Sequence, residues 1–354
     1  MAIHEAAYAF LFDEKPISCR EFGNGHINNT YKVESDHGNL YVLQHINQYV
    51  FKNPEEVMEN ISAVTNHIQK HASTLCSTPR YLQTADGSYH YKDGDGEYWR
   101  MCEHVSGLCL DTPESNEDLY QSALAFGWFQ ESLADFPAHT LYETIPHFHD
   151  TVDRYVQFKA SVKQDRAGRA ALAQKEIDFL LEREAVAGTL VRELKEGKLP
   201  LRVTHNDTKL NNVLLDKVTH KCLCVLDLDT VMPGSSLYDF GDAIRFGAST
   251  AAEDEEDLSK IGIDLDLFRI YTKGYLEAIP SLTDEEIRLL PLSAVIITME
   301  LATRFLKDYL DGDLYFKTKK PNHNLIRAKS QIALAYDMEK KLPQMEQIVA
   351  ELRK

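Results

Sequence analysis

Val203-Thr204-His205-Asn206-Asp207-Thr208-Lys209-Leu210-Asn211-Asn212 is followed, fifteen residues after Asn212, by Asp227 within Val225-Leu226-Asp227-Leu228-Asp229. The first stretch has the form His-x-Asp-x4-Asn, and the second closes an apolar run with a carboxylate. Phosphoryl transfer uses this set of parts. A loop Asp accepts the proton of an attacking hydroxyl, while an Asn on that loop and an Asp after the next strand hold a divalent ion. Amide and carboxylate oxygens suit a hard cation such as Mg2+. The pattern gives Asp207 the catalytic role and Asn212 and Asp227 the metal.

Each of these residues also has a plainer reading. Asp207 alone would be a solvated turn carboxylate. His205 before it, Asn212 after it and strand runs at 201–204, 213–215 and 222–228 favour catalysis, and they place all three residues at one end of a sheet. His205 is expected to hold the loop by packing or hydrogen bonding. Asn211 reads as a turn amide bonded to its own backbone. For Asp229 the sequence leaves two roles open, a metal ligand or a cap on the following turn. Asp239, within Pro233-Gly234-Ser235-Ser236-Leu237-Tyr238-Asp239, is expected to accept from the loop backbone or to N-cap the next helix.

The 354 residues suffice for about two domains. A net charge of −17 argues against nucleic acid or anionic membrane as partners, since both reward a basic surface. The six cysteines lack zinc-ligand spacing, and Cys222 and Cys224 alternate on one face of a strand, which fits buried thiols. The first residues lack the basic and apolar regions of a signal peptide. No apolar run approaches the roughly 20 residues that span a bilayer. A soluble cytoplasmic protein is expected.

Strand patterns dominate the first hundred residues. Runs at 30–33 and 40–46 flank the turn Asp36-His37-Gly38-Asn39, and further runs near 89–91 and 98–102 frame Asp93-Gly94-Asp95-Gly96. Gly23-Asn24-Gly25 lies between strands and suits a hairpin whose backbone covers phosphates, though a plain hairpin turn has the same composition. Pro54-Glu55-Glu56-Val57 opens a helix, with Val57, Ile61, Val64 and Ile68 on its buried face. Helical spacing then governs 117–134, 151–163, a long stretch at 169–196, and most of the chain beyond Leu267. The expected architecture is α+β: a β-rich N-lobe with one main helix over residues 1–105, and a larger, mostly helical C-lobe over 106–354.

The His205–Asn212 loop with Val-Leu-Asp227-Leu-Asp resembles the aminoglycoside phosphotransferase and choline kinase superfamily, whose fold is protein-kinase-like. Nearly the whole chain is similar to a narrower group, the N-acetylhexosamine 1-kinases. Its marks are Gly23-Asn-Gly-His-Ile-Asn-Asn-Thr-Tyr, Tyr41-Val-Leu-Gln-His-Ile-Asn, Phe51-Lys-Asn-Pro-Glu-Glu-Val-Met-Glu-Asn, Glu143-Thr-Ile-Pro-His-Phe-His, Val231-Met-Pro-Gly-Ser-Ser-Leu-Tyr-Asp-Phe-Gly-Asp and His323-Asn-Leu-Ile-Arg-Ala. The resemblance implies ATP- and Mg2+-dependent phosphorylation of the anomeric hydroxyl of N-acetylglucosamine or N-acetylgalactosamine.

It also implies an adenine-binding hinge near Glu103, His104 and Val105. The superfamily carries Lys or Arg in its third strand, where this chain has Leu43-Gln44-His45. Gln44 is therefore expected to hydrogen-bond a phosphate, with Lys32, Lys52 or the metal bringing charge and Glu59 as partner acid. For the sugar, Arg304 and Tyr315 are the expected contacts, Arg304 against a structural salt bridge. His147 and His149 read as helix-end histidines bonded to backbone. Two alternatives remain: a kinase of another small alcohol (choline, homoserine, methylthioribose or an aminoglycoside), or a nucleotide-binding protein without catalysis.

Overall fold

A computed structural model describes residues 2–11, 13–23, 27–70 and 75–353. After helix α1 (Ala2–Phe10), strands β1 (Pro16–Glu21), β2 (Asn29–Ser35) and β3 (Leu40–His45) follow, then helix α2 (Pro54–Lys70) and strands β4 (Tyr91–Lys92) and β5 (Tyr98–Glu103). The strands form one antiparallel sheet in the order β1-β2-β3-β5-β4. Gly38, at φ 81°, takes the left-handed conformation that closes the β2–β3 hairpin.

Register sorts the side chains of this sheet, because residues directly opposite one another share a face. Tyr31 opposes Leu43, which opposes Met101, and this apolar face is covered by Ala6, Ala7 and Phe10 of α1. Helix α1 is not expected from the strand-rich pattern of the first hundred residues. Its burial follows from the outer apolar face, which would otherwise meet water. On the other face Thr30, Gln44 and Arg100 stand in one row across three strands. Below that face α2 buries Val57, Ile61, Val64 and Ile68 in a core shared with Phe126, Phe129, Val213 and Val225 from farther along the chain.

The remaining chain is mostly helical. Helix α3 (Asn116–Glu131) starts with a capping box of Ser115 and Asp118. After α4 (Thr151–Gln164) come three short helices, α5 (Gln174–Leu181), α6 (Glu184–Ala187) and α7 (Thr189–Lys195). The expected single helix at 169–196 is thus broken. Arg183 leaves helical geometry (φ −105°, ψ 5°), its guanidinium 3.6 Å from the Phe179 ring centroid and 2.8 Å from Glu339. A tertiary ion pair overrides an apolar stripe that is otherwise continuous.

Strands β6 (Arg202–Thr204), β7 (Val213–Leu215), β8 (Cys222–Val225) and β9 (Met232–Gly234) make two separate ribbons, β6 with β9 and β7 with β8. The expected single sheet end is therefore replaced by two ribbon ends, and the strand expected at 222–228 stops at Val225. Helices α8 (Ser236–Gly247), α9 (Leu265–Ala278), α10 (Asp284–Asp311) and α11 (His323–Leu352) build the largest core. Gly241 lets α8 press on α10, since a Cβ there would lie 2.7 Å from the Ser293 carbonyl oxygen.

By length and composition α10 matches a membrane span, contrary to the expectation of no such run. However, 83% of its most apolar window is buried inside the protein, so its apolarity serves the core.

Candidate active site

The loop from β6 to β7 is clamped by α8. Asp239, fully buried, accepts the amide hydrogens of His205 (2.9 Å) and Asn206 (2.7 Å), and Gln130 Nε2 donates to it at 2.5 Å. Asp242 accepts from the Thr208 amide at 3.1 Å, while Thr208 Oγ1 donates to the Asp239 carbonyl at 2.7 Å. Burial raises the Asp239 pKa, and His205 and the backbone donors oppose it. The N-cap of α8 is Ser235, so Asp239 lies inside the helix rather than at its cap.

His205 is buried, with Phe126 and Phe129 edge-on at 5.2 and 5.7 Å. A neutral ring protonated on Nε2 satisfies both of its contacts: Nε2 donates to the Leu226 carbonyl (2.8 Å), and Nδ1 accepts from the Asp207 amide (3.3 Å). Asn206, at φ 65°, donates from Nδ2 to the Thr230 carbonyl at 2.8 Å. The loop is thereby knitted to the turn that follows Asp227.

Both carboxylate oxygens of Asp207 have partners. Asn212 Nδ2 donates to Oδ2 at 3.0 Å and to the Asp207 carbonyl at 2.9 Å, and Lys209 Nζ lies 2.8 Å from Oδ1. This orientation of the amide leaves Asn212 Oδ1 for another partner. The Leu226 amide donates to the Asn212 carbonyl at 2.7 Å, so the β7–β8 ribbon carries Asn212 and Asp227 side by side.

Asp227 has left-handed backbone (φ 54°, ψ 61°), which Asp tolerates better than most residues. Its residue surface is exposed, yet the protein packed around it dehydrates the carboxylate. Dehydration there, then the Asp229 and Asp207 carboxylates, raise its pKa, and Arg100 and Lys209 oppose them.

Asp229 does not cap the following turn. It is buried and ion-paired with Arg100 of β5, and Asn28 Nδ2 donates to its other oxygen at 2.5 Å. Arg100 Nε donates to Gln44 Oε1 (2.9 Å), and Gln44 Nε2 donates to Thr30 Oγ1 (3.2 Å). Gln44 thus serves as an acceptor for Arg100. The cation beside the third strand comes from its neighbour β5, a residue the sequence reading passed over. The clue was available in the apolar run Tyr98-Trp99-Arg100-Met101-Cys102, where a charge has no place unless it is paired.

The acid facing Arg100 is Asp229, not Glu59, which is exposed and bonded to Tyr142. Lys52 lies 4.7 Å from the Tyr49 ring centroid, and Lys32 lies 5.8 Å from that of Phe22. Asn211 donates to Asp111 at 3.1 Å, not to its own backbone.

Near the expected hinge, the amides of Glu103 and His104 donate to the carbonyls of Arg80 and Leu40, both at 3.0 Å, and Val105 is exposed. Gly23 has φ 78°, and Asn24 and Gly25 lie outside the described residues.

Arg304 belongs to a second group. It lies 3.6 Å from Glu300 and near the rings of Phe148 (5.4 Å) and Phe316 (5.6 Å). His149 Nδ1 bonds the buried Glu300 carboxylate at 2.8 Å, correcting the expected backbone partner. Tyr315 is 69% exposed, its amide held by Asp308 at 2.8 Å. His147 is also exposed, 3.6 Å from Asp150. This group meets the first through His149, whose ring lies 5.0 Å from Tyr238 of α8.

An antiparallel sheet above a helical body, with a clamped His-x-Asp-x4-Asn loop and a carboxylate after the next strand, defines a kinase-like phosphotransferase fold. The chain belongs to the phosphotransferase enzyme family, whose model matches residues 18–268.

Solved structures of similar fold include an aminoglycoside phosphotransferase from Alicyclobacillus acidocaldarius, 14% identical with a TM-score of 0.66, the match covering 98% of this chain and 96% of the other. A microcompartment-associated aminopropanol kinase is 18% identical, with a TM-score of 0.63 and 98% of both chains covered. An amicoumacin kinase bound to AMP-PNP and Ca2+ is 13% identical, with a TM-score of 0.63 and coverage of 96% and 93%.

Proposed function

We propose that this phosphotransferase uses ATP and Mg2+ to phosphorylate the anomeric (C1) hydroxyl of an N-acetylhexosamine, N-acetylglucosamine or N-acetylgalactosamine. The observation that carries the reaction type is the Asp207 carboxylate, fixed by Asn212 and beside Asp227 on a loop held rigid by α8.

Asp207 orients the acceptor hydroxyl and takes its proton as the oxygen attacks the γ-phosphorus. An anomeric hydroxyl is more acidic than an ordinary alcohol, so a carboxylate suffices. The donor set suits magnesium. Asn212 Oδ1 and Asp227 are hard oxygen donors, and the Asp207 and Asp229 carboxylates act on Asp227 against the opposing charges of Arg100 and Lys209. Among the described residues no three His, Cys, Asp or Glu side chains form a ready cage, which suits an ion completed by phosphate oxygens. Magnesium, when bound, supplies charge neutralisation on the β- and γ-phosphates.

The sheet and α2, in residues 1–105, cover the nucleotide, and the segment at Glu103–Val105 receives adenine, with residues 106–354 carrying the loop and acceptor site. The exposed Val105 supports the hinge assignment, because the amides of the two residues before it, Glu103 and His104, are engaged. Arg304 and Tyr315 contact the sugar. Arg304 combines a donor fork with the rings of Phe148 and Phe316, the mixture a sugar with an acyl group requires. Six free cysteines and ATP dependence fit a cytoplasmic setting.

A coupled assay of ADP release tests the proposal with N-acetylglucosamine, N-acetylgalactosamine, glucose, choline, homoserine, methylthioribose, aminopropanol and an aminoglycoside. N-acetylhexosamines should give the highest kcat/KM. Faster turnover of an amino alcohol or aminoglycoside would overturn the sugar assignment, and no turnover with any acceptor would overturn the reaction.

A further inference from the structure

We propose that Lys209 is a catalytic residue whose ammonium contacts the transferred phosphoryl group, a role that rests on Asp207 being the carboxylate that orients the acceptor. The backbone of Lys209 is fixed on both sides. Thr208 before it is bonded to Asp239 and Asp242, and the Lys209 carbonyl accepts from the Asn212 amide at 3.0 Å. From there Nζ reaches Asp207 Oδ1 at 2.8 Å and lies 5.5 Å from the Phe246 ring centroid.

Accessibility separates Lys209 from the other cations around these carboxylates. Its side chain is 41% exposed. Arg100 is 2% exposed and committed to Asp229 and Gln44, and Arg245 is 4% exposed and committed to Asp242 and Glu253. Among these three, only Lys209 is open to an incoming nucleotide. It also lies within the field of the carboxylates: burial opposes its charge, but Asp207 and Asp242 raise its pKa. With neutral Gln44 in the third strand and Arg100 committed to Asp229, Lys209 brings a partly exposed positive charge directly beside Asp207.

In the transfer step the acceptor oxygen bonds the γ-phosphorus. The bond from that phosphorus to the β,γ-bridging oxygen breaks, and its electron pair leaves with ADP. The hydroxyl proton passes to Asp207. Lys209 forms no covalent bond and keeps its proton. As the acceptor hydroxyl takes its place at Asp207 Oδ1, the ammonium turns to the equatorial phosphoryl oxygens, where charge is spread in the transition state.

The competing role is an ion pair that merely holds Asp207. Two measurements on the full chain separate the roles without depending on the acceptor: intrinsic ATP hydrolysis, with water as acceptor, and calorimetric affinity for ADP with and without aluminium fluoride. Lys209→Met should slow hydrolysis about 100-fold and abolish most of the extra affinity that aluminium fluoride confers, while ADP affinity stays within about threefold. Lys209→Arg should restore part of both. If Lys209→Met does not fold, Lys209→Gln carries the same comparison.

Wild-type hydrolysis, or wild-type fluoride-dependent affinity, in the uncharged variant would overturn the proposal. Asp207→Asn separates the two assignments. If it keeps turnover, the Asp207 role fails, whereas if it is inactive and Lys209→Met remains active, only the Lys209 proposal falls.

Discussion

Arg100→Met removes the guanidinium that joins the sheet to the turn after Asp227, while keeping an unbranched stem of similar reach. Four interactions go with it: the bond to Gln44, the ion pair with Asp229, the contact with Met58 Sδ at 3.9 Å, and the contact over the Tyr81 ring. Among the described residues, Asp229 then stays buried with only Asn28 donating to it, beside a second carboxylate at Asp227.

Removing one partner of a buried pair costs about 3–5 kcal/mol, because the remaining charge is uncompensated. Single bonds to charged groups contribute about 1.5–3 kcal/mol, but here they describe the same event and do not add. A loss of about 4 kcal/mol is therefore expected, a large part of the roughly 5–15 kcal/mol of a typical domain. Adding Asp229→Asn should return part of it, since a neutral amide needs no cation. The double-mutant cycle should give a coupling of at least about 2 kcal/mol. Urea unfolding followed by far-UV circular dichroism, fitted with a common m value, measures all four corners. An additive cycle, or a single variant within about 1 kcal/mol of wild type, would refute the idea that this pair fastens the sheet to the turn after Asp227.

Asp207→Asn should lower ADP release about 10²- to 10⁴-fold while nucleotide affinity, read by calorimetry, is kept; undiminished turnover would remove Asp207 from the mechanism. Arg202→Met should destabilise the protein by about 3–5 kcal/mol, because Glu286, fully buried and 2.5 Å from the guanidinium, is left without its cation. Urea titration checks this, and a loss under about 1 kcal/mol would contradict it.

His220 anchors the β7–β8 turn to Asp118 of α3 at 2.6 Å. Its bond to Asp118 raises the His220 pKa above 6.5. Burial works against the Asp118 charge, but bonds from His220 and Ser115 bring its pKa below 3.8. The histidine's contribution is complete below about pH 6.5 and fades as pH rises through its raised value. The aspartate's is complete above about pH 4 and fades as pH falls. The Tm difference between wild type and His220→Ala should accordingly be largest at about pH 5–6 and shrink by pH 9; a difference independent of pH would refute the pairing.

Local pattern made much of the fold legible. The β2–β3 hairpin, α2 with its four buried apolar positions and the helices after Gly107 follow from period and punctuation in the chain. The loop and the Asn212–Asp227 proximity were also within reach, because strand β7, a short turn and strand β8 leave few ways to arrange them. What escaped depends on partners far apart in sequence. Arg100 meets Asp229 across 129 residues, and His149 meets Glu300 across 151. Neither pairing leaves a periodic signal. The break at Arg183 was hidden for the same reason, since Glu339 lies 156 residues away. A third-strand cation was sought on the strand itself, although a sheet can supply it equally well from the adjacent one.

Helix α10 runs unbroken from the partner of Arg202 in its first turn, Glu286, to Glu300, Arg304 and Asp308. At about 1.5 Å per residue, the eighteen positions from Glu286 to Arg304 set a rod of roughly 27 Å between the strand that feeds the catalytic loop and the face proposed for the acceptor. Point changes on that face leave the rod's length alone, so acceptor preference can drift without disturbing the loop. A one-residue insertion between those positions would swing Arg304 and Asp308 by about 100° around the axis and empty the acceptor face. Substitutions along α10 preserve this spacing, whereas changes of length are accommodated in the loops at its ends.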